Sequence, residues 1–355
     1  MILEFPSYYK RILVTGGAGF IGGCLIRKFL NISQCQIYNL DKLGYASDIT
    51  GINNELLHLG LKSSDRYKLI NIDIANKEIL KKTIYEIKPD MVFHLAAESH
   101  VDKSIIEPEA FIKSNIIGTF NLLEVLRTYY EKLPQQRKDI FRMLHISTDE
   151  VFGSAGKQNK FSENSPYNPS SPYSASKASS DHLVKAWHTT FGLPVLITNC
   201  SNNYGPWQFP EKLIPLVIYK AIKNQCIPVY GDGTNIRDWL YVEDHIEAIL
   251  FVALKGSTGK SYCIGGSNEY SNLQVVKLIC SFLNKEICKK VPFENQIEFV
   301  KDRPGHDYRY AINNSAIIDE LGWKPKYTFE KGLKMTVKWY LENIKWCENI
   351  IVKKN

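Results

Sequence analysis

Long apolar runs are missing: no stretch of the 355 residues approaches the ~20 apolar residues that a membrane-spanning helix needs. The opening Met1-Ile-Leu-Glu-Phe-Pro6 has no basic segment followed by an apolar one, so no secretory leader is expected. Cysteine is present at 24, 35, 200, 226, 263, 280, 288 and 347 but never as CxxC, which predicts reduced thiols and neither a disulfide framework nor a zinc site. The eight histidines show no HExxH or similar spacing, and no metal is expected. Dense Lys/Arg blocks are absent too, so a net charge of +7 argues against nucleic acid as a partner and suits a small anionic ligand. There is no internal repeat and no low-complexity segment; only Lys353-Lys354-Asn355 reads as a frayed tail. These absences leave a cytoplasmic protein of ordinary composition, long enough for one large domain or two unequal ones.

What is present begins with glycine. The β-branched run Arg11-Ile-Leu-Val-Thr15 is followed at once by Gly16-Gly-Ala-Gly19-Phe20-Ile21-Gly22, and then by a segment of helical character from Cys24 to Leu30. Strand, glycine turn and helix form the context of a dinucleotide fingerprint, in which free N–H groups at the helix start receive a pyrophosphate. Two frames fit, one through Gly17, Gly19 and Gly22 and one through Gly16, Gly19 and Gly22. The second strand, Gln36–Leu40, runs into Asp41, an acid positioned to accept from the adenosine ribose and repel a 2′-phosphate. NAD is therefore expected over NADP, although Lys42 beside it could tolerate a phosphate.

A third strand, Tyr67–Asn71, closes on Asp73-Ile74, an expected adenine contact. A fourth, Met91–Leu95, opens onto Ala96-Ala97-Glu98-Ser99, small enough to lie against a cofactor. A long apolar helix is expected over 108–130, buried against the sheet and against a partner subunit. The alternation to about residue 199 predicts an α/β fold, a Rossmann-type doubly wound parallel sheet. Beyond it the loop 200–212, a helix over 212–223, short strands at 228–233 and 237–241 around a turn, and helices near 243–255, 272–284 and 329–343 predict a smaller mixed α/β portion. The expected division is 1–200 for cofactor and catalysis and 201–355 for substrate, with some chain crossing back.

The chemistry concentrates between Ser147 and Lys177. Phe141–Ile146 reads as a strand, so Ser147-Thr148-Asp149-Glu150 fall at its C-terminal end, where open α/β sheets bind ligands. Tyr173 and Lys177 lie four apart on the following helix and project from one face. A phenol with a nearby ammonium, a hydroxyl and two adjacent carboxylates can move several protons around one substrate.

Thr15-Gly-Gly-Ala-Gly-Phe-Ile-Gly22 with Tyr173-x-x-x-Lys177 resembles the extended short-chain dehydrogenase/reductase superfamily, and Ser147-Thr-Asp-Glu-Val151 is similar to its nucleotide-sugar 4,6-dehydratases. Asn199–Pro206, Phe209–Pro215, Ile236–Asp244 and Asp302-Arg-Pro-Gly-His306 extend the resemblance from Arg11 to about Trp346. Departures are Phe152 for the usual Tyr, Trp207 for a smaller aromatic, a short loop between Gly153 and Ser171, and extra residues before the first strand.

The resemblance implies a role for each position. Tyr173, as phenolate, takes the sugar C4 hydroxyl proton while hydride passes to NAD; Thr148 bonds the C4 oxygen. Glu150 removes the C5 proton, Asp149 protonates the departing C6 hydroxyl, and hydride returns to C6 and a proton to C5, giving a 4-keto-6-deoxy sugar. A free phenol titrates near ~10, so Lys177 and a positive nicotinamide have to bring it down to near neutral. Leu43, Gly44, Leu95, Ser114 and Asn203 join the cofactor set. Ser99, Asn202, Lys212, Leu213, Pro228, Tyr230, Arg237, Asn272, Arg303 and His306 join Thr148 in the substrate set, with Lys212, Arg237 and Arg303 anchoring a diphosphate. The implied substrate is dTDP-glucose, then UDP-glucose, and GDP-mannose least, because a pyrimidine fits near Pro228 and Tyr230. A 4-epimerase would share Tyr173, Lys177 and NAD but not need Asp149 and Glu150, and an NAD-sensing regulator would need none of the four. A homodimer through 108–130 and 173–190 is expected.

Overall fold

The computed structural model describes residues 4–354; Met1 to Leu3 of the opening segment and Asn355 lie outside the described residues. Twelve strands run β1 Arg11–Thr15, β2 Gln36–Asp41, β3 Tyr67–Asn71, β4 Met91–His94, β5 Arg142–Thr148, β6 Val195–Cys200, β7 Asn202–Tyr204, β8 Ile227–Tyr230, β9 Ile236–Tyr241, β10 Ser261–Ile264, β11 Glu269–Ser271 and β12 Ile297–Val300. Seven of them form one sheet in the order β10-β6-β5-β4-β1-β2-β3, parallel throughout. Such a sheet is covered on both faces, and its central strands read as near-continuous apolar runs for that reason. One face packs on the helices Phe20–Ile32 and Val242–Lys255. The other packs on Lys77–Ile87, Gly118–Glu131 and Pro172–Phe191. The order reverses at β1, which pairs with β2 on one side and β4 on the other, and a crevice opens there at the C-terminal strand ends.

The seventh strand, β10, comes from beyond residue 200, so the chain returns to the main sheet after building part of the second region. That region holds a three-stranded sheet β11-β9-β7 and a two-stranded sheet β12-β8. The strands expected around the turn near Gly231 exist but do not pair with each other. Gly231 (φ 57°) and Gly233 (φ 73°) turn the chain away, so that β8 pairs with β12 and β9 with β7 and β11.

The helix expected over 108–130 is continuous but contains a π-helical turn, Ile112–Ile117, before Gly118–Glu131. The expected frayed tail is instead the end of a helix that runs Ile344–Lys354. Ahead of β1, Phe5 and Tyr9 are packed: Phe5 meets the Phe29 ring edge-on at 5.1 Å, and Tyr9 OH donates to the Ile140 carbonyl at 3.1 Å. Trp207, in the left-handed region at φ 69°, meets Trp339 at 4.8 Å and Trp346 at 5.2 Å. Phe152 stacks on Phe161 at 5.2 Å, which anchors the short loop after Gly153.

Candidate active site

A cavity of about 320 Å³ lies at the crevice, lined on one side by the glycine turn and on the other by the ends of β5 and β6. The glycines make its floor. A Cβ on Gly16 (φ 72°) would sit 2.6 Å from Ala96 N, and one on Gly22 would sit 2.4 Å from Gly16 O. Gly16, Gly19 and Gly22 line the cavity, whereas Gly17 is turned to Asn39, so the frame facing a ligand is the one through Gly16. Gly19 caps the helix Phe20–Ile32 without a side-chain acceptor, leaving first-turn N–H groups available to an anion.

Asp41 ends β2 and is held by Ala18 N at 3.0 Å, Leu43 N at 2.8 Å and Ser47 Oγ at 2.9 Å. Lys42, the residue that could have tolerated a phosphate, is paired with Glu98 Oε1 at 2.6 Å. Gly44, Asp73, Ile74 and Ser114 line the same end, with Leu95, Ala96 and Ala97 along β4's exit. Leu43 lies off the cavity wall with its side chain exposed and its backbone left-handed (φ 54°), its N–H donating to Asp41 Oδ1 at 2.8 Å. Asn203 lines the wall with its Nδ2 on Ser201 O and its Oδ1 against His245 Nδ1.

β5 runs two residues further than the apolar run suggested, so Thr148 ends the strand and Asp149–Phe152 form a 3₁₀ turn capped by the Thr148 hydroxyl. The helix Pro172–Phe191 starts cleanly because Ser171 and Ser174 form a reciprocal cap, with Pro172 at its first position. Tyr173 and Lys177 thus face the cavity from its first turns, beside Thr148, Asp149 and Glu150.

The two carboxyls sit in different surroundings. Asp149 is fully buried, and burial, then Glu150, then Asp238 raise its pKa well above the ordinary range. Burial also raises Glu150 above its ordinary range, with Arg303, Arg237 and Lys212 opposing it in part; of these Arg237 opposes the rise of Asp149 as well. Tyr173 departs from the expected direction. Burial, then Glu150 and Cys200, push its phenol well above the ordinary value, and a hydrogen bond with Thr148 opposes them. The lowering has to come from positive charge in the cleft, where Lys177 stands one helical turn from Tyr173.

The substrate set separates into two groups. Ser99, Asn202 and Lys212 line the cavity, with Lys212 Nζ on Ser99 O at 3.0 Å and the buried Asn202 Oδ1 without a protein partner. Leu213, Pro228, Tyr230, Arg237, Asn272, Arg303 and His306 lie beyond its wall. Arg237 is buried, its guanidinium on Ile236 O, Tyr308 O and Asp307 O and stacked on Tyr310 at 4.3 Å. Arg303 pairs with Asp102 at 3.5 Å, and His306 Nδ1 with Asp302 Oδ1 at 2.6 Å and close to the Tyr230 ring. Asn272 and Leu213 begin helices, and Pro228 lies in β8 opposite Glu298.

Tyr45 was missed. It lines the cavity, donates to Glu211 Oε1 at 2.8 Å, meets Phe209 edge-on and lies under Lys103 Nζ at 3.0 Å, joining the two sides of the mouth. Its place in the loop after Asp41 was the available signal.

Comparison with known proteins places this geometry. The family described as GDP-mannose 4,6 dehydratase matches residues 13–336. A dTDP-glucose 4,6-dehydratase of Neisseria meningitidis serogroup B is 49% identical over 348 residues, 96% of each chain. The crystal structure of a Bacillus anthracis dTDP-glucose 4,6-dehydratase in complex with NAD superposes with a TM-score of 0.82 at 41% identity, covering 96% of this chain and 99% of that one. One from Streptomyces venezuelae, with NAD and TYD bound, gives 0.85 at 37% over the same shares.

Proposed function

Because the chain belongs to the nucleotide-sugar dehydratase family that the GDP-mannose 4,6 dehydratase description covers, we propose that it is an NAD-dependent dTDP-glucose 4,6-dehydratase, a hydro-lyase. The observation that carries this is the pair Asp149 and Glu150, adjacent in the cavity beside Tyr173 and Lys177, with more cations opposing the rise of Glu150 than that of Asp149. An epimerase needs no such pair, and a sensor needs no Tyr173 and Lys177.

The residues present suit NAD: a glycine cradle that any side chain would fill, uncapped helix N–H groups, Asp41 at the strand end and a neutralised Lys42. When bound, NAD supplies the hydride acceptor for sugar C4 and the donor for C6. Tyr173 takes the C4 hydroxyl proton, with Thr148 bonding the same oxygen. Lys177 stabilises the phenolate electrostatically. The C4 ketone acidifies C5–H, which Glu150 removes. Asp149, kept protonated by burial, donates to the C6 hydroxyl, which leaves as water. Lys212, Arg237 and Arg303 supply the positive field for the diphosphate.

A pyrimidine is preferred over a purine near Pro228 and Tyr230, and dTDP over UDP is supported by the 49% identity to a dTDP-glucose 4,6-dehydratase, with one methyl separating the two bases. A homodimer is supported by Ile105, Ile106, Ile112, Ile117 and Phe191, exposed on or beside the helices 101–131 and 172–191. Sedimentation at micromolar concentration tests it, and a monomer would remove it. A cytoplasmic location is supported by eight unpaired cysteines. The function itself is tested by incubating the protein with dTDP-glucose and reading the alkali-induced absorbance of a 4-keto sugar; its absence with NAD present would reject the assignment.

A further inference from the structure

One helical turn beyond Lys177, the carboxylate of Asp181 is fully buried and has no part in the steps above. It accepts hydrogen bonds from His145 Nε2 at 3.1 Å, Ser147 Oγ at 2.9 Å, Tyr167 OH at 3.0 Å and Asn199 Nδ2 at 3.0 Å. These donors come from β5, β6 and the loop before the helix. So many donors on one buried carboxylate favour an anion. Burial opposes that charge, but His145, Ser147 and the Lys177 ammonium outweigh it and hold Asp181 below the usual carboxylate range.

A buried anion needs a cation. His145 does not provide it, because burial and then Lys177 push its pKa down to about 4, and its Nδ1 has no partner, as suits a ring neutral with its hydrogen on Nε2. His94 on β4 lies between Thr15 Oγ1 and Thr119 Oγ1 and is held well below its usual value by burial and by His145. The Cys200 thiol on β6 and the Tyr167 phenol are pushed upward by burial and stay neutral. Asp149 and Glu150 on the turn after β5 lie on the Tyr173 side. From 101–117, which also packs on this helix, Asp102 pairs with Arg303, Lys103 covers Tyr45, and Glu107, Glu109 and Lys113 are exposed. Glu124 meets the far end of the helix at Trp187. Lys185, half-buried, lies over the Tyr167 ring at 5.0 Å on the outer side of the network, so Lys177 remains as the buried cation, 4% exposed, with Nζ on the Ile146 carbonyl at 3.0 Å.

We propose that Asp181 is the buried counter-ion that keeps Lys177 an ammonium, and so a positioning residue for proton transfer at Tyr173; this rests on the Tyr173–Lys177 pairing proposed above. A lysine in a dry site beside a cationic cofactor tends to lose its proton, and a neutral amine cannot stabilise a phenolate. Burial lowers the Lys177 pKa, and Asp181 is foremost among the groups that raise it again. The interior behind Tyr173 thereby holds a buried anion and a buried cation one helical turn apart among neutral neighbours.

The sign follows. Without the Asp181 charge, Lys177 deprotonates at lower pH, so the alkaline limb of kcat/KM moves towards acid. The experiment is the pH profile of the full-length enzyme on dTDP-glucose for wild type, Asp181→Asn and Tyr167→Phe. The deficit of Asp181→Asn is expected to grow ~10-fold or more between about pH 6 and about pH 9. Tyr167→Phe keeps the charge and should leave the limb in place. A folded Asp181→Asn enzyme with the same deficit at every pH would reduce the network to a structural one and overturn the proposal. Should that variant not fold, ε-¹³C-lysine labelling of the wild type decides, with the Lys177 signal assigned by its loss in Lys177→Met. An ammonium persisting above about pH 8 is expected, and a neutral amine at about pH 7 overturns the idea. Tyr173→Phe and Lys177→Met in the same series separate the two readings. If they retain activity, the pairing itself falls; if they lose it while Asp181→Asn tracks wild type, only the counter-ion role falls.

Discussion

The two sides of the cleft are built on opposite plans. On the cofactor side, one strand, one turn and one helix contiguous in sequence supply the cradle, and the helix start has no side-chain cap over its backbone N–H groups. On the substrate side, charge comes from Lys212, Arg237 and Arg303, which reach Glu150 from three separate segments. The first plan depends on the absence of side chains at Gly16 and Gly22, the second on side chains held by distant partners, such as Arg237 on the carbonyls of Asp307 and Tyr308. Local order makes the first side tolerant of changes elsewhere. Non-local assembly makes the second the place where specificity can drift while the chemistry stays.

The sharpest way to break this contrast is to strike where the sides meet. Tyr173→Phe removes the proton acceptor and should lower turnover of dTDP-glucose by ~10²–10⁴-fold, with the nucleotide still bound, measured as single-turnover oxidation at C4. A variant within a few fold of wild type would remove Tyr173 from its role. Next, Gly22→Val forces atoms against Gly16 O, where even a Cβ would lie 2.4 Å away. It should lose co-purifying NAD and cost roughly 1–3 kcal/mol of stability in a denaturant melt. Retention of NAD at wild-type levels would show that the cradle is not steric. On the other side, Arg303→Met should raise KM by roughly 10–100-fold with kcat less affected, as suits a charged hydrogen bond worth ~1.5–3 kcal/mol. A fall in kcat alone would mean that Arg303 acts chiefly on Glu150. The smallest effect is the base: dTDP-glucose should exceed UDP-glucose in kcat/KM by about tenfold, the low end of what one methyl contributes. A ratio at or below unity would move the chain to UDP-glucose.

The same contrast explains what was legible in the sequence. The glycine turn, Asp41 and the small residues after β4 could be read because each is a local pattern with a local cause. Tyr173 and Lys177 could be read from their spacing on one helix. The partnering of β8 with β12, the burial of Arg237 and the bonds on Asp181 could not, since they join residues far apart in sequence. Nor could the difference between Asp149 and Glu150, because Asp238 acts on the first, Arg303 and Lys212 on the second, and Arg237 on both, all from distant segments. Leu43 shows the converse: a local pattern marks its loop, while its left-handed backbone and exposed side chain come only from the structure.

The division of labour between those neighbouring carboxyls is the centre of this account, and solvent deuterium tests it most directly. Asp149→Asn and Glu150→Gln are each incubated with dTDP-glucose in deuterium oxide, following C5 deuteration and loss of the C6 oxygen by NMR. Asp149→Asn should exchange C5–H and stall before water leaves; Glu150→Gln should oxidise C4 yet neither exchange C5–H nor release water. Normal C5 exchange in Glu150→Gln together with its loss in Asp149→Asn would contradict the assignment.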